Sequence, residues 1–198
     1  GSGRYGYLIT VKCTTEPIEK VTGGTNTGNL TGTPVVGGTN APIPPVGVIY
    51  VLDDVWVSGT YNAPVTVCGS RDIYVPNNFQ PASMNSKITA GLVAQRNIVV
   101  PTFYSSVPTN MTLTAALLAQ TGTVYGDLST STLKNHITIN GSNSYFTYGY
   151  FAQYSGSTVT RGWLTRTYTY DQRLDTYAPP RYPVVHDGSL KVNTWMED

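Results

Sequence analysis

Between Val46 and Val100 the chain repeats a short pattern of alternating apolar residues, followed by a turn that carries Asp, Asn or Gly. The repeated segments are residues 48–51, 54–57, 64–67, 72–75, 91–94 and 97–100. Strands this short, repeated at intervals of roughly six to ten residues, form either an antiparallel meander or successive turns of a β-solenoid. The pattern therefore predicts an all-β fold and narrows it to two architectures.

The residues between these segments favour the β-solenoid, a parallel β-helix-like coil. Two-residue hairpins need Asn-Gly or Asp-Gly pairs to supply positive φ angles, and no such pair separates these strands. The connections instead place small or polar residues beside β-branched runs, as at Arg71-Asp72, which suits a chain bending between the faces of a coil. Alternate side chains then stack in ladders that place Val57, Val67 and Val75 above one another. The alternative is a β-sandwich.

The rest of the chain is divided around this solenoid, which is predicted for residues 47–170. Residues 1–20 are interpreted as an N-terminal strand region. Residues 21–46 are rich in Gly, Thr and Pro, which predicts a long loop or a linker. Residues 112–120, Thr-Leu-Thr-Ala-Ala-Leu-Leu-Ala-Gln, predict one short helix. Residues 171–198 contain a Pro-Pro-Arg-Tyr-Pro run, which predicts an extended C-terminal tail.

Composition favours an extracellular protein. Charged residues make up 12% of the chain, against roughly 25% in an average soluble protein. Gly, Thr, Asn, Ser and Tyr are abundant instead, a mixture typical of extracellular β-rich proteins. The formal net charge of +1 argues against a surface that attracts nucleic acid or anionic lipid over its whole area.

The two cysteines are Cys13 and Cys68. In an extracellular chain an even number of cysteines suggests a disulfide, which here would tie the N-terminal strand to the third repeated segment. Closing a loop of this size contributes about 4 kcal/mol by the chain-entropy argument. The alternative is two buried thiols.

Motifs for catalysis are sparse. His136 and His186 have no neighbouring Cys or carboxylate at ligand spacing, so we expect no metal site. No nucleophile elbow, P-loop or dinucleotide fingerprint indicates an enzyme or a cofactor. Asp53, Asp54 and Asp72 occupy predicted corners, where they either bind turn backbone groups or form an acid pair acting on a glycosidic bond. The first role is the favoured interpretation.

The C-terminal quarter combines arginines with tyrosines. The candidate ligand-binding residues are Arg161, Arg166, Tyr168, Tyr170, Arg173 and Arg181. If the ligand is DNA, the guanidinium groups would contact phosphates while the rings stack on bases. The alternative interpretation is that these arginines pair with Asp171, Asp175 and Asp187, which share the same stretch.

Six segments carry a resemblance to a known family: Gly47-Val-Ile-Tyr-Val-Leu-Asp-Asp-Val-Trp-Val-Ser-Gly-Thr60, Val65-Thr-Val67, Asp72-Ile-Tyr-Val75, Gly91-Leu-Val-Ala-Gln-Arg-Asn-Ile-Val-Val-Pro101, the predicted short helix Ala115-Ala-Leu-Leu-Ala119 and Ile137-Thr-Ile-Asn-Gly141. Together they resemble bacterial type IV pilus-associated β-solenoid proteins. The ending, Tyr170-Asp-Gln-Arg-Leu174 and then Pro179-Pro-Arg-Tyr-Pro183, is similar to the closing segment of that family, although Gln172 replaces an expected proline. The resemblance covers residues 47–183, and residues 21–45 have no counterpart.

The resemblance implies a non-enzymatic module at the bacterial cell surface. In that family the solenoid is carried on, or inserted into, a pilin-like protein, and one relative is a competence-associated minor pilin. Pilus subunits are then expected partners, and residues 1–20 are expected to belong to a pilin-like sheet. Membrane contact would occur only through an anchor that this chain does not contain. The implied roles are structural or ligand-binding, in adhesion or DNA uptake.

The alternative function is a polysaccharide-binding or polysaccharide-degrading β-helix. Parallel β-helices often place two or three acids on neighbouring turns for such chemistry. This hypothesis predicts an open groove along one face, lined by Tyr50, Trp56 and Tyr74 beside the carboxylates of Asp54 and Asp72.

Overall fold

The computed structural model describes residues 46–84, 87–103 and 107–183, together with the backbone of three earlier strands. Those are β1 Gly6–Val11, β2 Ile18–Val21 and β3 Thr39–Ala41. The later strands are β4 Val48–Val51, β5 Asp54–Tyr61, β6 Val65–Gly69, β7 Ile73–Tyr74, β8 Phe79–Pro81, β9 Ala90–Ala94, β10 Ile98–Pro101, β11 Asn110–Ala119, β12 Val124–Asp127, β13 Leu133–Tyr145, β14 Ala152–Ser155 and β15 Thr158–Thr169. A 3₁₀ helix, Gln172–Asp175, follows β15.

These strands wind into a parallel β-solenoid of about 4 turns with three faces. Face 1 contains β4, β6, β9 and the C-terminal halves of β11 and β13. Face 2 contains the first half of β5 with β7, β10 and β12. Face 3 contains the second half of β5, then β8, the first halves of β11 and β13, and β15. The predicted solenoid is confirmed, and the β-sandwich alternative is wrong.

The register places inward side chains of successive turns above one another. The inward positions of face 2 are Val55, Ile73, Ile98 and Val124, each paired with the next. All of them are buried in the main core. Because each fully buried aliphatic side chain contributes about 1.5–3 kcal/mol relative to exposure, these ladders are a main source of the stability of the fold.

The prediction that Val57, Val67 and Val75 stack above one another is wrong for Val67. Val57 lies on β5, and Val75 directly follows β7, which pairs with β5. Val67 lies on β6, which pairs with β4 and β9 on face 1. The chain passes through three faces in each turn, so consecutive apolar segments lie side by side around the coil and only segments one full turn apart stack.

Residues 112–120 form a strand, and the predicted helix is wrong. The strand β11 pairs in parallel with β13 on one side and with β8 and β9 on the other. Met111, Leu113 and Leu117 are buried in the core at a period of two residues. The helix preference of Ala and Leu amounts to only tenths of a kcal/mol per residue, about 0.7 at most. Pairing on both edges and burial of alternate residues outweigh it.

The N-terminal strand belongs to the same sheet as the solenoid. β1 pairs in parallel with β5, from Gly6 opposite Asp54 to Val11 opposite Gly59. Its other edge pairs with β2, which in turn pairs with β3 in an antiparallel arrangement. β3 falls within the predicted linker, and most of that segment lies outside the described residues.

The predicted extended tail begins with a helical turn. Asp171 caps the 3₁₀ helix Gln172–Asp175 by accepting a hydrogen bond from the backbone N–H of Arg173. This local cap outweighs the extended tendency of the proline-rich sequence that follows. Residues 184–198 lie outside the described part of the chain.

The segment after this helix packs across face 1, and we call residues 177–183 the C-terminal strap. The Thr66 hydroxyl donates a hydrogen bond to the carbonyl oxygen of Pro180 at 2.6 Å. The ring of Tyr182 lies over Gly91, where a Cβ atom would come within 2.6 Å of Tyr182 Cδ2. Glycine at this position therefore allows the strap to contact the sheet directly.

Within the described residues, no helix has the length and apolar character needed to cross a membrane.

Candidate functional site

The polar residues at one corner of the solenoid bind the backbone of the next turn. Asp54 Oδ1 accepts the N–H of Asp72, 18 residues later, at 3.0 Å. Asp72 Oδ1 accepts the N–H of Asn97, 25 residues later, at 3.1 Å. Asn97 Oδ1 accepts the N–H of Thr123, 26 residues later, at 3.1 Å. We call Asp54, Asp72, Asn97 and Thr123 the corner ladder.

Two arginines offset much of the negative charge of Asp53, Asp54 and Asp72 at this corner. Arg96 Nη2 lies 2.8 Å from Asp72 Oδ2 and 3.3 Å from Asp54 Oδ1. Arg71 Nη1 donates to Asp53 Oδ1 at 3.0 Å. Asp54 and Asp72 are only 1% and 6% exposed. The interpretation of these carboxylates as structural corner groups is confirmed.

The groove of the polysaccharide hypothesis is not formed by its predicted residues. The rings of Trp56 and Tyr74 stack with centroids 4.7 Å apart and planes 10° apart, and the two side chains are 1% and 5% exposed. Tyr50 is exposed on face 1, away from that pair on face 2. Two of the three predicted aromatic contacts are therefore closed to a ligand.

Arg173, one of the candidate ligand-binding residues, is engaged in a buried ion pair. Its Nη2 lies 2.6 Å from Asp171 Oδ2, with side chains 15% and 6% exposed. Its Nη1 donates to the carbonyl oxygen of Ile88 at 3.1 Å. The hydrogen bond to Asp171 raises the pKa of the guanidinium. For this arginine the alternative interpretation, pairing with an aspartate, is confirmed.

Three further candidates lie apart from one another. Arg161 donates to the carbonyl oxygen of Leu128 at 3.1 Å. The Tyr170 hydroxyl donates to Asp175 Oδ1 at 2.5 Å. Arg181 is exposed in the C-terminal strap. None of the three lines the cavity that contains the remaining two candidates.

Those two, Arg166 and Tyr168, lie together on β15 beside a cavity of about 400 Å³ at the last turn. We call this cavity the end cleft. It is lined by Tyr148, Gly149, Tyr150, Phe151, Ala152, Tyr154, Arg166 and Tyr168. Beneath it, Phe151 and the fully buried Trp163 fill the end of the core, so the cleft has a rigid floor.

Arg166 is held in the end cleft by neutral groups. Its Nη2 donates to the Tyr154 hydroxyl at 2.6 Å, and its Nη1 donates to the carbonyl oxygen of Trp163 at 2.9 Å. Its guanidinium carbon lies 5.8 Å from the centroid of the Tyr154 ring. Among the described residues no carboxylate pairs with Arg166. A guanidinium has about five N–H donors, so donors and a full positive charge remain for a ligand.

The tyrosines of the end cleft are exposed and in contact with one another. Tyr148 and Tyr150 meet edge to face with centroids 5.2 Å apart, and Tyr168 meets Phe151 in the same way at 6.3 Å. Tyr148 and Tyr150 are 65% and 66% exposed. Burial raises the pKa of the Tyr168 phenol further above neutral pH. Exposed aromatic clusters of this kind mark interaction surfaces.

Described residues also line two further concavities. One, of about 390 Å³, shares Tyr148, Gly149 and Tyr150 with the end cleft, so these residues form a wall between two depressions. The other, of about 490 Å³, lies on face 3 and is lined by Gln80, Pro81, Ala82, Met84, Thr112, Thr114, Thr138, Asn140 and Thr169. It contains neither a charged nor an aromatic side chain, which makes the end cleft the better candidate.

The sequence interpretation missed Tyr148, Tyr150 and Tyr154. They belong to the segment Tyr145-Phe-Thr-Tyr-Gly-Tyr-Phe151 and the strand after it. The structure ends β13 at Tyr145 and begins β14 at Ala152. The density of aromatic residues without alternating core residues was the available signal for an exposed cluster.

The predicted disulfide is not formed at Cys68, which is a free cysteine. Cys68 lies on β6, which pairs with β4 and β9, whereas β1 pairs with β5 on another face. Cys13 lies outside the described residues. Burial raises the pKa of the Cys68 thiol.

Among the described residues no group of three or more His, Cys, Asp or Glu side chains is placed to hold a metal ion. His136 is engaged with the hydroxyl of Thr165, with Nδ1 and Oγ1 2.6 Å apart.

No protein-family model matches this chain, and no curated protein or solved structure shows significant similarity to it.

Proposed function

We propose that the chain is a non-enzymatic, surface-exposed module of a type IV pilus- or pseudopilus-associated protein, and that it presents the end cleft to an extracellular ligand. The observation that carries the ligand-binding part is the exposed aromatic cluster around Arg166, whose charge no carboxylate of the described residues neutralises. The pilus part rests on the resemblance of residues 47–183.

The solenoid supplies a rigid support for such a cleft. Successive turns are joined by parallel pairing and apolar ladders, and the corner ladder adds side-chain bonds from Asp54 to Thr123. Phe151 and Trp163 close the core directly under the cleft. A ligand bound at this end meets side chains whose positions are already set, which reduces the ordering cost of binding.

The pilus association is tested by shearing surface filaments from cells that carry the chain and probing the sheared fraction with an antibody against the solenoid. We expect the chain in that fraction, and its loss from the fraction in a strain that lacks the major pilus subunit. Retention of the chain in the cell fraction of both strains would contradict the proposal.

The binding role is tested with purified chain on immobilised single-stranded DNA, an acidic polysaccharide and a neutral polysaccharide. We expect at least one surface to bind, and Tyr148→Ala/Tyr150→Ala to weaken that binding at least tenfold. Tyr50→Ala is the matched control, because Tyr50 is equally exposed but lies on face 1. If no surface binds, or if the control loses as much as the cleft variant, the proposed role of the end cleft is wrong.

A further inference from the structure

Building on the proposed function, we infer that the end cleft binds a carboxylated sugar unit of an acidic glycan. The chemistry of the ligand follows from the residues that line the cleft. They offer the guanidinium of Arg166, which no carboxylate of the described residues neutralises, together with several exposed phenol rings and their hydroxyl groups. The volume of about 400 Å³ lies in the range of small-ligand sites and suits one or two sugar rings.

The guanidinium of Arg166 selects for a carboxylate. Its bonds to the Tyr154 hydroxyl and to the Trp163 carbonyl oxygen fix its plane and position. A planar guanidinium that keeps free N–H donors binds a carboxylate through two parallel hydrogen bonds, which are stronger than neutral ones. Because both existing partners are neutral, the ligand does not compete with an internal acid for the charge.

The tyrosines suit the ring of a sugar. Tyr148 and Tyr150 are about two-thirds exposed and meet at an interplanar angle of 82°, so they present apolar ring faces in two directions. The C–H face of a sugar ring packs on such a surface, while protonated phenols donate to and accept from its hydroxyl groups. Phe151 and Ala152 contribute apolar lining beside them.

The charge of the end cleft favours an acidic glycan over single-stranded nucleic acid. Nucleic-acid affinity comes largely from several phosphate contacts made by Lys and Arg, and Arg166 is the one charged side chain in the cleft lining. Arg173 is paired with Asp171, and neither Arg173 nor Arg161 lines the cleft. One guanidinium matches one carboxylate per sugar better than a run of phosphates.

The test is calorimetric titration of the chain with two acids and their neutral counterparts. The pairs are oligogalacturonate with its methyl ester, and sialyllactose with lactose, and oligothymidylate is titrated as the nucleic-acid probe. We expect at least one acid to bind tenfold or more tightly than its neutral counterpart. Arg166→Gln should remove that tenfold preference. Arg166→Lys keeps the charge but cannot form two parallel hydrogen bonds to a carboxylate, so it should reduce the preference.

Two controls separate the site from the fold. Arg181→Gln changes an exposed arginine outside the cleft and should leave every affinity unchanged. Tyr150→Ala should weaken the acid and its neutral counterpart alike, because it removes the stacking face and not the charge. Circular dichroism confirms that each variant is folded.

The remaining outcomes overturn the inference in distinguishable ways. Equal binding of acid and neutral probes that still depends on Tyr150 would reject the acidic ligand and leave the proposed binding function standing. Tighter binding of oligothymidylate than of either acid, lost in Arg166→Gln, would assign the cleft to nucleic acid. The absence of binding by every probe would overturn both the inference and the proposed role of the cleft.

Discussion

The carboxylate of Asp54 accepts the backbone N–H of Asp72 at 3.0 Å across 18 residues of chain. The bond joins one turn of the solenoid to the next at a corner, where β5 and β7 begin. Asp72 repeats the interaction with Asn97 one turn further on. Side chains thus add to the backbone hydrogen bonds that begin at the same residues, Val55 N–H to Asp72 O and Ile73 N–H to Asn97 O.

Asp72→Ala should destabilise the protein by about 2–4 kcal/mol, since it removes the ion pair with Arg96 and the acceptor of both the backbone and the side-chain N–H groups of Asn97. Urea unfolding measures the change in the free energy of unfolding. Asp53→Ala is the matched control: its ion pair with Arg71 is half-exposed, so its loss should cost under about 1 kcal/mol. Equal losses in the two variants would contradict the structural role of the corner ladder.

Leu117→Ala should cost about 2–5 kcal/mol, because the side chain is fully buried and its removal leaves a cavity. Leu118→Ala should cost much less, since that residue points outward from the strand and is only partly covered. Chemical denaturation of the two variants checks the strand assignment of β11. Similar losses of stability at both positions would contradict the alternation of inward and outward side chains along β11.

The repeated segments predicted the strands of the first turns well, because a short apolar run that ends in a polar corner specifies a strand from its local sequence alone. Residues 112–120 show where such local reasoning fails. Their Ala and Leu content favours a helix, and the decisive contacts lie in β8, β9 and β13, up to a full turn away in the chain. Helix propensity contains no information about strand partners that become neighbours only when the solenoid forms.

Stability should fall as the pH rises above about 10, through two buried tyrosines. Burial raises the pKa of Tyr182 from its usual 10.0 to about 12, and burial also raises that of Tyr61, whose hydroxyl donates to Thr114 O. The folded state then holds these protons more tightly than the unfolded state. Their contribution is complete below pH 10 and is lost as the pH rises through the folded pKa values.

The urea midpoint, measured from about pH 9 to about pH 12, checks this dependence. Tyr61→Phe/Tyr182→Phe has no phenol to ionise at either position, so its midpoint should vary less with pH than that of the parent protein. An unchanged pH dependence in this variant would assign the loss to other groups.

Cys68 should react with iodoacetamide in the folded protein without prior reduction, and more slowly than in urea. It is a free, half-buried cysteine, and burial raises the pKa of its thiol, which lowers the fraction of reactive thiolate. Peptide mass spectrometry locates the label. Labelling of Cys68 only after reduction would restore the predicted bond to Cys13.

The candidate site was predictable only in part. Arg166 and Tyr168 are two residues apart on one strand, so alternation alone places them on the same side. Arg173 was grouped with them by sequence, yet the 3₁₀ turn directs it to Asp171. Tyr148 and Tyr150 reach the cleft because the chain leaves β13 at Tyr145 and then runs beside β12, with Gly126 N–H bonded to Tyr150 O, a path that composition does not reveal.

The spacing of the corner ladder, 18 residues and then 25 and 26, has a consequence for how such a chain diversifies. The first turn is shorter than the later ones, yet the register of the paired strands is kept, so the additional residues are accommodated in the connections between strands. The length of the connections between strands can therefore change without altering the packing of the core. New loops can be grafted there, by evolution or by an engineer, without redesigning the interior.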